Sequence, residues 1–206
     1  IAKLHNVDFD KVNLADYGKH ENYMDRQIHR WTKQYKDSET QMIPEINELI
    51  EWLPKNIPSD QETSIVHGDF RLDNMIFDPI THEVKAILDW ELSTLGNPIA
   101  DFTYHMMSWR LPAGAKGLGM MGSDLKSLNI PSESEYAELY YKKTGREKID
   151  NWDFYMAYNI FRLAGIAQGI VGRVRDGTAS SSEAKNYEAF VPILGKLGWS
   201  IVEGIK

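Results

Sequence analysis

Residues 64–77, SIVHGDFRLDNMIF, set one His, two Asp, one Arg and one Asn between two short apolar runs, Ile65-Val66 and Met75-Ile76-Phe77. Runs of this kind, rich in β-branched and aromatic residues, read as short strands. A solvated loop carries polar groups at little cost, but polar groups held between two buried strands need partners. Both flanks are expected to be buried here. The segment is therefore expected to be a tight connection whose polar side chains converge, and the commonest reason for such convergence is chemistry.

The rest of the chain is read around that connection. Residues 16–38 and 41–53 are predicted helices, the second because Ile43, Ile46, Leu49, Ile50 and Leu53 recur at three- and four-residue steps. Three extended pieces follow at 64–66, 75–78 and 84–89, the last two forming a β-hairpin across PITHE. A helix from Ile99 to Trp109 is expected, with Asn97 as its cap and Pro98 at its first position. A glycine-rich loop at 112–131 leads to a helix at 132–144. Long helices at 151–175 and 182–204 close the chain, the latter kinked by Pro192. The expected class is α+β, mainly helical, with one small β-element carrying the polar cluster.

The 206 residues suffice for one domain or one large lobe. A net charge of −7 argues against a nucleic-acid or anionic-membrane partner. The absence of Cys excludes disulfides, thiol nucleophiles and zinc-thiolate sites. No signal peptide is read at the start, and the most apolar stretch, Trp152 to Gly172, is broken by Asp153, Asn159, Arg162 and Gln168. A cytoplasmic protein is expected. Oligomeric state is not legible. The opening IAKLH lacks a capping residue, as though the chain starts inside a helix, and is read as part of something longer.

The polar cluster has the form H-x-D-x-x-x-x-N, with His67, Asp69 and Asn74, and LDWE follows with Asp89 and Glu91 at a strand end. Asp and Asn offer hard oxygen ligands, which suit magnesium better than zinc or copper. A carboxylate beside such an ion can orient a hydroxyl and accept its proton as it attacks phosphorus. The hairpin brings the parts together, because Asn74 begins one strand and Asp89 ends its partner.

This pattern resembles the protein-kinase catalytic loop H-R-D-L-x-x-x-N followed by D-F-G. The departures, Gly68 for Arg and D-W-E for D-F-G, match the aminoglycoside phosphotransferase and choline-kinase-like small-molecule kinases. AILDWELSTLGNPIADFTYHM resembles that family along its length, and KIDNWDFYMAYNIFRLAGIAQGI resembles the subgroup related to phosphotransferase domains fused to acyl-CoA dehydrogenases. The resemblance spans nearly the whole chain. It implies the C-terminal lobe of a protein-kinase-like fold, and an enzyme moving a phosphoryl group from ATP or GTP to a hydroxyl of a small molecule, with Mg2+. It implies Asp69 as the catalytic carboxylate and Asn74 and Asp89 as magnesium and nucleotide-site ligands. Arg71 would offset charge on the transferring group. Asp101 would brace the catalytic loop, His67 would hold backbone groups, and Glu91 would stand just outside the metal. Tyr155 and Arg162, on the long helix with Asn159 and Arg173, are substrate candidates, or else polar residues on a solvent edge.

Several patterns are set aside. GLGMMG at 117–122 fits a phosphate-cradling G-x-G-x-x-G but lacks the preceding strand, so a mobile lid or substrate loop is the better reading. Lys85 in VKAIL follows the catalytic loop rather than preceding it and reads as strand surface. Asp73 is either solvated or a substrate contact, and His20 and His29 read as surface. Residues 1–63 hold no strand-rich sheet with a glycine loop and a Lys–Glu pair. The N-terminal nucleotide-binding lobe is thus expected to be absent from this chain, and the isolated segment to be inactive without it. Two other classes compete: a non-catalytic regulatory or binding module on a kinase scaffold, and a magnesium-dependent hydrolase on another fold. The acceptor is not identified, although the acyl-CoA dehydrogenase likeness disfavours antibiotic resistance.

Overall fold

A computed structural model describes residues 1–59, 62–114, 119–148, 151–179 and 182–205. The chain forms two compact units, Ile1–Glu21 with Gln61–Asp150, and Asn22–Asp60 with Asn151–Lys206.

The first unit contains α1 (Ala2–His5), β1 (Ser64–Val66), β2 (Met75–Phe77), β3 (Val84–Ile87), β4 (Thr94–Gly96), α4 (Pro98–Met106) and α5 (Glu133–Thr144). β2 and β3 form the expected hairpin, antiparallel, with Met75 opposite Ile87 and Ile76 opposite Ala86. β1 pairs with β4, Ile65 opposite Leu95, a strand outside the three extended pieces expected from the sequence. Its partner lies beyond the hairpin, so short-range pattern carries no sign of it. Asn97 caps α4 as expected, its Oδ1 accepting from the amides of Ile99 and Ala100 at 2.9 Å each. Ser132 and Glu135 form a capping box at the start of α5, and Gly145 ends that helix at φ +71°. Ile65, Val66, Leu95, Phe102, Met106 and Leu111 fill the core of this unit.

The expectation of two buried flanks holds for β1 only. Ile76 and Phe77 are 48% and 42% exposed. A two-stranded ribbon presents two faces and here cannot bury both.

The second unit is helical: α2 (Tyr23–Ser38), α3 (Pro44–Trp52), α6 (Trp152–Arg175) and α7 (Phe190–Ile205). Helix α6 packs on α2 and α7, and α3 packs on α7. Met24, Ile28, Trp31 and Tyr35 bury one stripe of α2, while α6 is buried on nearly every side. The predicted helix at 16–38 starts only at Tyr23, because Asn22 adopts φ +53°. Gly18 sits in an approach too close for a helix or a side chain, its would-be Cβ 2.2 Å from Thr94 Oγ1. Pro192 does not kink the last helix. That helix begins at Phe190, so Pro192 falls in the first turn, where its missing N–H costs nothing, and 182–187 is a separate 3₁₀ turn.

Candidate functional site

The loop after β1 is held from behind by α4. Asp101, in the first turn of α4 and 3% exposed, accepts from the His67 amide through Oδ2 and from the Gly68 amide through Oδ1, both at 2.8 Å. Gly68 turns the chain at φ +86°, and a Cβ there would lie 2.6 Å from the Leu92 carbonyl oxygen. Ser93 Oγ donates to the Val66 carbonyl at 2.7 Å, tying the same corner to the chain that follows the hairpin.

His67 is fully buried and links the two halves of the motif. Its Nδ1 accepts from the Asp69 amide at 3.2 Å, so its Nε2 carries the proton and donates to the Leu88 carbonyl at 2.9 Å. Trp90 covers the ring at a centroid distance of 4.6 Å. One imidazole thus fixes the backbone of Asp69 against the residue that precedes Asp89.

Asp69 and Asn74 touch directly. Asn74, closing a 3₁₀ turn at Leu72–Asn74, donates through Nδ2 to the Asp69 carbonyl at 2.9 Å and to Asp69 Oδ2 at 3.0 Å. With Nδ2 committed, Oδ1 is the atom of Asn74 left for a cation. The Leu88 amide donates to the Asn74 carbonyl at 2.8 Å, which continues the hairpin register one step, so that Asp89 follows the residue bonded to Asn74. Asp89 leaves the strand at φ +65° and is exposed, as is Glu91 in the following 3₁₀ turn. Two hard-oxygen side chains at one end of a hairpin suit a divalent cation with waters or phosphate oxygens completing its shell. Among the described residues, no three His, Cys, Asp or Glu side chains form a closed metal cage.

Arg71 turns toward Asp73. Its Nε donates to Asp73 Oδ1 at 2.9 Å and its Nη2 donates to Oδ2, while Nε stays 4.0 Å from Asp69 Oδ1. The pairing raises the Arg71 pKa and holds the Asp73 carboxyl below its ordinary range. Asp73 is therefore an ion-pair partner whose side chain stays 60% exposed. Beside these residues a cavity of about 500 Å³ is lined mostly by apolar and aromatic groups, among them Phe70, Tyr104, His105 and Trp109.

Tyr155 and Arg162 lie in the helical unit, where they are 2% and 6% exposed. The Arg162 guanidinium stacks over Trp31 at 5.3 Å from the ring centroid. Neither residue is on a solvent edge. Lys85 is on the hairpin surface, 3.4 Å from Asp78. Of GLGMMG, Gly117 and Leu118 lie outside the described residues, and Gly119 packs against the Leu111-Pro112 backbone.

Three residues important to this geometry escaped the sequence reading. His5, from α1, donates through Nε2 to Asp101 Oδ2 at 3.1 Å, and Tyr140 donates to His5 Nδ1 at 2.7 Å. His105, one turn after Asp101, bonds to the Phe70 backbone, and burial pushes its pKa down to about 4. The first contact spans 96 residues of sequence and the second 135, so no local pattern could reveal them.

A braced H-G-D loop, an Asn hydrogen-bonded to its Asp, and a strand-end Asp one register step away define a kinase-like phosphotransferase lobe. Residues 1–139 match the family described as "Phosphotransferase enzyme family". The chain belongs to that family. It is 44% identical over 200 residues to acyl-CoA dehydrogenase family member 10 of Mus musculus, covering 97% of this chain and 19% of that protein. It is 38% identical to family member 11 of Homo sapiens, covering 96% of this chain and 26% of that one. The chain thus spans about a fifth to a quarter of the curated relatives it matches. The crystal structure of a putative aminoglycoside phosphotransferase from Ralstonia eutropha JMP134 superposes with a TM-score of 0.94 at 49% identity, over 98% of this chain and 62% of that one. The fold is therefore that of the aminoglycoside phosphotransferases, α+β and mainly helical. The likeness to the phosphotransferase relatives of acyl-CoA dehydrogenase proteins holds along nearly the full chain. No helix among the described residues is long and apolar enough to cross a membrane.

Proposed function

We propose that this chain is the catalytic lobe of an ATP- or GTP-dependent small-molecule kinase that phosphorylates an alcohol. The observation that carries the reading is the Asn74–Asp69 contact, with Asp89 delivered beside it by the hairpin. Asp69, at 21% side-chain exposure, is open enough to meet a substrate and anchored enough to aim. Its carboxylate takes the proton of the acceptor hydroxyl as that oxygen bonds to the γ-phosphorus. The bond from the γ-phosphorus to its bridging oxygen breaks, and a nucleoside diphosphate leaves. Asn74 Oδ1 and Asp89 would hold Mg2+, which when bound neutralises phosphate charge. Arg71, already near Asp69, would add positive charge beside the transferred group, balanced at rest by Asp73. His67 and Asp101 hold the loop, and Glu91 stands outside the ligand pair. The nucleotide-binding lobe that such a reaction needs is assigned to polypeptide outside these residues.

The test uses the complete gene product, screened against hydroxyl-bearing acceptors with ATP or GTP and magnesium. Acceptor-dependent nucleoside diphosphate formation is expected, falling by roughly 10³-fold or more in Asp69→Asn while the unfolding midpoint holds. Phosphate release that needs no nucleotide would favour the hydrolase reading. Full activity in Asp69→Asn would end the proposal.

A further inference from the structure

A buried line of hydrogen bonds enters the loop from α5. It runs from the Tyr140 hydroxyl to His5 Nδ1 (2.7 Å), from His5 Nε2 to Asp101 Oδ2 (3.1 Å), and from Asp101 to the amides of His67 and Gly68. The side chains of His5 and Asp101 are 0% and 1% exposed, and Tyr140 is 3% exposed. Tyr140 is itself held, its ring stacked on Phe102 with centroids 3.9 Å apart and planes 11° from parallel.

We infer that Tyr140 is a positioning residue for the transfer reaction: its hydroxyl fills the open nitrogen of His5, fixes the plane of that ring and thereby keeps Asp101 aligned on the catalytic loop. A neutral imidazole has one donor nitrogen and one acceptor nitrogen, and the partner of one decides the role of the other. The Asp101 carboxylate can only accept, so Nε2 carries the proton and Nδ1 is left with a lone pair. The Tyr140 hydroxyl, kept protonated because burial pushes its pKa up, donates to that lone pair. Without the hydroxyl, Nδ1 would be a buried acceptor with no partner, the ring would be held from one side only, and Asp101 would grip its third donor less firmly. Both loop amides ride on that carboxylate.

The other charged groups that face His5 are Asp101 and Arg146. Arg146 is committed to Glu62 at 2.7 Å and to Ser64 Oγ at 3.2 Å, and Ser64 Oγ donates to the His5 carbonyl at 3.0 Å. These contacts hold the backbone of His5 in place, so the orientation of the ring is the variable that Tyr140 controls. The kinetic consequence rests on the phosphoryl-transfer reading; the hydrogen-bond assignment does not.

Tyr140→Phe removes the hydroxyl and keeps the stacked ring. In this chain, nitrogen NMR of the imidazoles between pH 6 and 8, with His5 assigned by its loss in His5→Gln, is expected to show a single Nε2–H form. Tyr140→Phe is expected to keep that form and to show several-fold faster hydrogen exchange at the His67 and Gly68 amides than the change in global stability accounts for. In the complete gene product kcat is expected to fall roughly tenfold, with KM for the nucleotide unchanged. His5→Gln, which keeps a donor toward Asp101, is expected to retain more of kcat than His5→Ala. Unchanged loop-amide exchange in Tyr140→Phe, or a wild-type His5 with its proton on Nδ1, overturns the inference whatever the kinetics. Faster loop exchange in Tyr140→Phe beside a wild-type gene product that transfers no phosphoryl group overturns the phosphotransferase reading instead.

Discussion

Replacing Asp101 by Asn tests how much of the catalytic loop hangs on one carboxylate. The native group is buried and takes three N–H donors, from His5, His67 and Gly68. Burial alone would raise its pKa, but the bond and charge of His5 and the two loop amides outweigh that, and the group is held below the ordinary carboxylate range. An amide of the same shape keeps one acceptor oxygen and sets an NH2 against at least one of those donors. The orphaned donor costs about 1–3 kcal/mol. The remaining bonds lose charge assistance, which roughly halves them, about 1 kcal/mol each. The sum is a loss of about 3–5 kcal/mol. Urea denaturation at pH 7 should show it as a midpoint lower by about 2 M for an m-value of about 2 kcal/mol/M. Because the folded pKa of Asp101 is depressed, its contribution is present above the unfolded value and lost as pH falls through the folded one, so the gap between wild type and variant should narrow in acid. A loss below about 1 kcal/mol at pH 7 would refute the reasoning, since neutral bonds would then hold the loop as well as a charge does.

Two further outcomes follow from the same corner. His105 has a folded pKa of about 4 against an ordinary 6.5, so the unfolded chain binds a proton that the folded chain refuses. Stability should therefore fall as pH drops from about 6.5 toward 4, by about 2 kcal/mol at pH 5 from this group; denaturation across that range should show a shallower slope in His105→Gln, and an identical slope would remove His105 as the source. Gly68→Ala must either keep a positive φ, at about 1–2 kcal/mol, or move the loop off Leu92, so both a lower unfolding midpoint and a large loss of transfer are expected, and an unaffected enzyme would show that the turn at φ +86° is not required.

The candidate site was largely legible because its parts are local. His67, Asp69 and Asn74 lie within one turn, and the antiparallel register of a single hairpin carries Asp89 to Asn74. Strand periodicity and the chemistry of oxygen ligands are enough to read that far. The same locality explains the correct cap at Asn97. Legibility failed wherever the partner was distant. β4 pairs across the hairpin with β1, and Gly18, inside the stretch expected to be helical, is pressed on Thr94, a contact 76 residues away. Phe77 looked like core by composition and is exposed because a ribbon has a second face. Arg162 was read as substrate-facing or on a solvent edge, and it is buried with its guanidinium over Trp31.

The sequence by itself determined the identity and spacing of the clustered polar groups, because those are set by residue type, turn chemistry and the two-residue period of a strand. Only the tertiary structure decided how those groups are aimed. A His near the first residue, a Tyr on α5 and an Asp on α4 meet behind the loop, buried from solvent, where each donor must find its acceptor. That requirement acts between segments of the chain that share no sequence period, and so it becomes visible only once they are packed together.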